Sequence, residues 1–333
     1  MTDGDLYVHG EEDLIQTYLR PLSAGWPGAL GLSDDCAVLA PAPGQELIVK
    51  TDPIRAGVHF FRDDDPSDIA WKALAVNVSD LAAKAARPLA YTMALSFPDA
   101  PLRSWLAAFA TGLSEAQDAF GCMLIGGDTD RADGPVSIAV TVFGEAPRKR
   151  MVKRSGAQPG DRVFVSGTLG DSALGLHVRR KSSVAAGIGI EHAGVALNRY
   201  LRPQPRLGVR AALRGFARAG MDISDGLPKD LGRMCRAAGL GAVINVASLP
   251  FSPALKEVAD ADRQRALALV SGSDDYEVLC AVPPENCSKF IAAADAGDVA
   301  VTEIGEFVPG SALHLHDAAG SPVEWGSAGF DHF

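Results

Sequence analysis

Short apolar runs alternate with longer stretches in which apolar residues recur at helical spacing, in both halves of the chain. Residues 46–49 form a strand-length run, and 136–143 alternates apolar and polar positions with the two-residue period of a strand. Between them, Leu74, Val78 and Leu81 share one face of a helix predicted from Ser67 or Asp68 to about Ala86, with Pro88 as its stop. Residues 102–120 predict a second helix, and 122–125 a short buried strand that runs into Gly126-Gly127. In the second half, 162–166 reads as a strand, Gly167-Thr-Leu-Gly170 as a turn, and a helix begins near Ser172. Pro228 suits the first turn of a helix reaching Ala238, where Gly239 can take the left-handed terminal conformation. Residues 279–282 and 299–307 predict later strands, and His314-Leu-His316 an edge strand that turns its histidines outward. The fold class is α/β (α+β) in two halves, with the sheet order left open.

The seam between the halves is Glu145-Ala-Pro-Arg-Lys-Arg-Met-Val-Lys-Arg154, a basic run in an otherwise acidic chain. It gives two expected domains, 1–147 and 148–333, in keeping with about 150 residues per domain. Thirty-one Lys and Arg against 41 Asp and Glu leave a net charge of −10, which repels nucleic acid and anionic membranes. No apolar run approaches the roughly 18 residues that span a bilayer. The segment Met1-Thr-Asp-Gly-Asp5 carries acids where an export signal needs a basic start. Five cysteines, an odd number with no C-x-x-C pair, disfavour a disulfide framework and a thiolate zinc site. A cytoplasmic protein with no nucleic-acid or membrane partner is expected.

The informative acids sit among apolar or glycine residues. Asp34-Asp35 follows Gly31-Leu-Ser33, Asp52 reads as ending the 47–51 strand, and Asp128 as following the strand before Gly126-Gly127. Asp80 lies within a helix, where pairing with Lys84 one turn on is the plain alternative; Asp222 and Asp225 flank a helix start, where Asp225 could serve as its cap. Buried carboxylates need cations or donors, and Lys and Arg are sparse around these five sites, so hard divalent ions with oxygen ligands are the candidate partners. Such ions commonly carry phosphates. The familiar nucleotide loops are absent, however: Gly44 to Thr51 has Val49 where a phosphate-binding loop needs its second glycine. The Gly167–Gly170 turn could equally cradle a phosphate or be only a tight turn. Cys36 reads as a small core residue, and His332 as a tail residue with no role.

In order along the chain, Ser33-Asp-Asp-Cys-Ala-Val-Leu39, Thr51-Asp-Pro-Ile-Arg-Ala-Gly-Val-His-Phe60, Lys72-Ala-Leu-Ala-Val-Asn-Val-Ser-Asp-Leu-Ala-Ala83, Ile125-Gly-Gly-Asp-Thr129, Arg154-Ser-Gly-Ala-Gln-Pro-Gly-Asp161, Ser166-Gly-Thr-Leu-Gly-Asp-Ser-Ala173, Asp222-Ile-Ser-Asp-Gly-Leu227, Asp274-Asp-Tyr-Glu277 and Trp325 form a register. With these segments the sequence resembles the thiamine-monophosphate kinase family, within the aminoimidazole-ribonucleotide-synthetase-like superfamily of ATP-dependent enzymes. The resemblance implies an N-terminal sheet-plus-helices domain that dimerises through its sheet, a C-terminal α/β domain, and an active site in the cleft between them. It implies a homodimer that uses Mg²⁺ and passes the γ-phosphoryl of ATP to the phosphate of thiamine monophosphate.

Residue by residue, the resemblance makes Asp35, Thr51, Asp52, Asp80, Asp128, Asp222 and Asp225 metal ligands. Gly127, Asp128, Arg154 and Ser224 become nucleotide contacts, and His59, Asp274 and Trp325 contacts of the thiamine phosphate. Asp52, Asp128, Arg154 and Asp222 form the implied catalytic set. Several positions depart from the family pattern. Ser33 replaces a glycine, Lys50 replaces a small hydroxyl residue, Asp274 is one methylene shorter than the usual Glu, and Ala83-Lys84-Ala85 replaces Ala-Met-Gly. The alternatives are another ATP-dependent synthetase of the superfamily, or a non-catalytic nucleotide-binding protein on the same fold.

Overall fold

The structure, a computed structural model, describes residues 6–325; His332 lies outside the described residues. They divide into two compact units, one running to Leu81 and resuming over Ala86–Lys149, the other formed by Ala82–Ala85 and the chain from Arg150 on.

The first unit opens with the short helix α1 (Glu11–Leu14) and irregular helical turns through Leu32. Its sheet takes β1 (Gln45–Arg55), β2 (Arg87–Phe97), β3 (Met123–Arg131) and β4 (Ser137–Pro147) in the order β1-β4-β2-β3. β4 pairs antiparallel with both β1 and β2, while β2 and β3 run parallel. Helix α2 (Pro66–Ala83) carries the anticipated Leu74, Val78 and Leu81, all fully buried, but it also buries Ile69, Ala73, Ala75 and Val76. A helix apolar on nearly every side is a core element rather than a surface one. Helix α3 (Arg103–Phe120) ends at Gly121, which adopts the left-handed conformation.

Two strands outrun their apolar signals. β1 continues through Asp52 to Arg55, because β4 pairs with it along its whole length and backbone hydrogen bonding does not require apolar side chains. β3 likewise runs through Asp128 to Arg131, held by β2. Asp52 and Asp128 therefore lie inside strands, not at their ends. β2 left no separate signal, since Pro88 reads as a helix stop; here it sits near the strand's start.

The second unit holds a six-stranded sheet built from β5 (Arg162–Ser166), β6 (Ala219–Asp222), β7 (Leu240–Asn245), β8 (Val278–Val282), β9 (Val301–Pro309) and β10 (Leu313–His316), in the order β10-β7-β9-β5-β8-β6. All pairs are antiparallel except β10 with β7. Helices cover both faces. Val163, Val165, Leu279 and Ala281 pack into one core with α4 (Asp171–Arg179), α5 (Ile190–Leu201), α7 (Leu227–Ala238), α8 (Pro253–Ala261) and α9 (Arg263–Ser271). Phe164, Val278, Cys280 and Val282 point the other way, onto α6 (Arg210–Phe216) and α10 (Cys287–Asp295). Strand alternation thus feeds two cores, which is why β8 reads as an unbroken apolar run. The edge strand β10 buries Leu315 and leaves His314 exposed.

Candidate functional site

In the first unit the backbone period of two puts Lys50 and Asp52 on one side of β1, and α2 delivers Asp80 to the same point. Lys50 Nζ lies 2.9 Å from Asp52 Oδ2 and 2.8 Å from Asp80 Oδ2. Asp80 therefore meets a strand lysine, not a solvated helix face. Burial would lower the Lys50 pKa, but the charge of Asp80, joined by Asp52, raises it above the ordinary lysine value. The fully buried Asn77 fixes Asp52 from behind: its Oδ1 accepts from the Asp52 amide at 2.8 Å, and its Nδ2 donates to the Asp52 carbonyl at 3.3 Å.

Other candidates of this unit stand nearby in sequence without converging on one centre. Thr51 points to the opposite side of β1 and hydrogen-bonds Thr141 (Oγ1–Oγ1 2.8 Å). Asp128 is exposed on β3 and accepts from the Thr129 amide at 2.9 Å. Gly127 is required by close approach, since a Cβ there would meet the Met93 carbonyl oxygen at 1.9 Å. Asp35 is exposed in the segment before β1, and Cys36 beside it is exposed rather than a core residue. His59 lies in the turn after β1, with Nδ1 accepting from the Arg55 amide at 3.0 Å. Among the described residues no three His, Cys, Asp or Glu side chains are grouped to hold one metal ion.

In the second unit Asp222 closes β6 and is buried, so it belongs to a strand and not to a helix start. Asp225 does not cap α7. The N-cap is Gly226, with no side-chain cap; the buried Asp230, inside the helix, fixes the turn before it, its Oδ2 accepting from the amides of Ser224 and Asp225, each at 2.9 Å. The Asp225 carboxylate instead pairs with Arg233 at 2.5 Å. Burial raises the Asp230 pKa, against the amide of Asp225 and the Arg233 guanidinium, which lower it. Arg154 is exposed in the bend following the basic run.

The Ser273-Asp-Asp-Tyr-Glu277 loop is braced from beneath. Asp274 accepts from Ser172 Oγ at 2.6 Å, while Asp275 accepts from the amides of Gly170 (2.6 Å) and Ser172 (3.1 Å). Within the turn, the Gly167 amide donates to the Ala300 carbonyl and the Leu169 amide to the Pro250 carbonyl, each at 3.0 Å; with Gly170 these three amides are spent inside the protein, which favours a structural turn over a phosphate cradle. Burial, then the nearby charge of Asp171, pushes the Asp275 carboxyl up to about 7. Glu277 is fully buried and receives Arg199 Nη2 (2.5 Å), Arg206 Nε (2.7 Å), Arg206 Nη2 (2.5 Å) and Ser166 Oγ (2.6 Å). Trp325 packs against the larger core, with its Nε1 buried and lacking a hydrogen-bond partner.

Residues 33–146 match the AIR synthase related protein N-terminal domain, and residues 158–317 the corresponding C-terminal domain. A thiamine-monophosphate kinase from Caulobacter vibrioides is 40% identical over 322 residues, covering 95% of this chain and 90% of that protein. The chain belongs to the thiamine-monophosphate kinase family. Among solved structures, the Stenotrophomonas maltophilia thiamine-monophosphate kinase is similar with a TM-score of 0.78 at 38% identity, over 85% of this chain and 89% of that one. AaThiL complexed with AMPPCP and TMP matches with a TM-score of 0.76 at 31% identity, over 97% of both chains.

Four side chains that brace candidate residues or their neighbours within each unit were not singled out from the sequence: Asn77 in the first unit, and Asp230, Arg199 and Arg206 in the second. Asn77 stands three residues before Asp80 and could have been found as a lone amide in an apolar helix, since a buried amide must find partners. The arginines carry no such signal, because their partner Glu277 lies more than seventy positions away.

Proposed function

We propose that this chain is an ATP-dependent phosphotransferase that moves the γ-phosphoryl of ATP to the phosphate of thiamine monophosphate, giving ADP and thiamine diphosphate. The observation that carries the reading is the end-to-end similarity to AaThiL complexed with AMPPCP and TMP. The attacking oxygen belongs to a phosphate already ionised at neutral pH, so no strong base is required, and catalysis is positioning plus neutralisation of charge. Two anions must nevertheless approach each other, and the chain's acids supply the means.

The donor set fits Mg²⁺, which takes one or two carboxylates and completes its shell with water and substrate phosphates. When bound, Mg²⁺ supplies the positive charge that screens the two phosphates. The proposed ligands are Asp35, Thr51, Asp52, Asp80 and Asp128 in the first unit and Asp222 and Asp225 in the second; they would serve several separate ions rather than one, with substrate phosphates and water completing each shell. Gly127 would contact a nucleotide through its backbone, and Ser224 would hydrogen-bond it. Arg154, exposed and permanently charged, would grip phosphate oxygens through its planar fork. The thiamine end is assigned to His59, Asp274 and Trp325: the cationic thiazolium suits the Asp274 carboxylate and the indole face.

The division into domains 1–147 and 148–333, a cytoplasmic location and a homodimer belong to the same proposal. No helix among the described residues is long and apolar enough to cross a membrane. Exposed Leu47 and Val49 on the outer side of β1 support a second copy docking on that sheet. An ADP-release assay tests the reading: ATP turnover is expected only when thiamine monophosphate is added, and turnover indifferent to it would overturn the proposal.

A further inference from the structure

We propose that the Lys50 ammonium is a built-in cation occupying the charge position between Asp52 and Asp80, so that this chain binds one divalent ion fewer than it would with an uncharged residue at position 50. The inference rests on the Mg²⁺-dependent reading above and deepens it by assigning what fills one carboxylate pair.

The geometry is specific. Lys50 and Asp52 are two apart on β1 and so lie on one side of the strand, while Asp80 comes from α2. The ammonium stands 2.9 Å from one carboxylate and 2.8 Å from the other, at the point on which both converge. Both arms spring from anchored backbone, although the Asp52 side chain itself is 44% exposed. The Asp52 backbone is locked at both its amide and its carbonyl by the buried Asn77, and the Asp80 side chain is only 20% exposed. The Lys50 side chain is itself only 31% exposed.

A divalent ion bridging these two carboxylates would need the same space. Mg²⁺ sits about 2.0–2.1 Å from its oxygen ligands and demands near-octahedral surroundings. An ammonium already between the two oxygens blocks that position sterically and repels a second cation. Replacing a bridging divalent ion by one ammonium also leaves the pair one positive charge poorer, so this corner attracts nucleotide phosphates less strongly than a metal-bridged pair. Lysine suits the place as a compact point charge that a planar guanidinium would not reproduce.

The test counts metal. Wild type, Lys50→Ser and Lys50→Met would be saturated with AMPPCP and titrated with Mn²⁺, free Mn²⁺ being read by electron paramagnetic resonance. Both variants are expected to bind one more Mn²⁺ per chain than wild type. Lys50→Met retains the stem, which keeps the count interpretable if the smaller serine perturbs folding. Without metal, Lys50→Met should melt below wild type because two carboxylates then face each other uncompensated, and added Mg²⁺ should raise its Tm by more than it raises that of wild type. Equal, non-zero Mn²⁺ counts in all three proteins would overturn the role of Lys50 and leave the phosphotransferase reading intact. No bound Mn²⁺ in any of them would overturn both.

Discussion

Glu277→Gln is expected to destabilise the second unit severely while changing almost no volume. The carboxylate is fully buried and compensates two guanidinium groups at once, Arg199 at 2.5 Å and Arg206 through both Nε and Nη2. The amide keeps the shape but leaves two arginines facing a neutral group, one of whose ends is now a donor. Removing one partner of a buried pair costs about 3–5 kcal/mol. The lower end applies because Arg206, at 27% side-chain exposure, can turn partly to water, whereas Arg199, at 10%, cannot. About 3 kcal/mol corresponds to a fall in Tm of roughly 6–12 °C for a unit of this size. Calorimetry of Glu277→Gln beside Arg131→Gln supplies the measure, because the Arg131–Asp99 pair is exposed at both ends (76% and 83%) and such pairs contribute about 0–1 kcal/mol. If the two variants lost equal stability, the strut described beneath the 273–277 loop would not exist.

Three further outcomes follow from the geometry. Gly127→Ala should force β2 and β3 apart, since its Cβ would fall 1.9 Å from the Met93 carbonyl oxygen; overpacking of this kind costs about 1–3 kcal/mol, readable by urea unfolding, and an unchanged midpoint would refute it. The Asp275 carboxyl is raised from 3.8 to about 7 in the folded state, so folding binds a proton between these values; its stabilising share is complete below pH 4 and is lost as pH rises through 7. Asp275→Asn should therefore flatten the decline of Tm between pH 5 and 7.5, and a variant with the wild-type slope would contradict that. Asp274→Asn should raise KM for thiamine monophosphate with little change in ATP affinity, whereas Asp52→Asn should collapse kcat; identical kinetic signatures would refute the division of roles.

The sequence carried the local chemistry further than its assembly. Leu74, Val78 and Leu81 were legible as a buried helical face, but the burial of the remaining sides of α2 was not, because alanines and valines there are compatible with either surface or core. Strand ends were misplaced at Asp52 and Asp128 for a physical reason: apolar pattern reports side-chain burial, while strand length is set by backbone pairing with β4 and β2. The candidate acids were visible as carboxylates in apolar settings, yet their partners were not. Lys50 and Asp52 share a strand side by simple periodicity, but Asp80 joins them only through the packing of α2 on the sheet. Ser172 meets Asp274 across about a hundred residues of chain, beyond any reading of spacing.

The most direct test of the central claim is ³¹P nuclear magnetic resonance of a reaction containing the protein, ATP, Mg²⁺ and thiamine monophosphate. The account predicts that the thiamine monophosphate resonance is replaced by the two resonances of thiamine diphosphate, with ADP formed in equal amount and no inorganic phosphate. ATP breakdown to ADP and inorganic phosphate with thiamine monophosphate intact, or no ATP consumption at all, would contradict it.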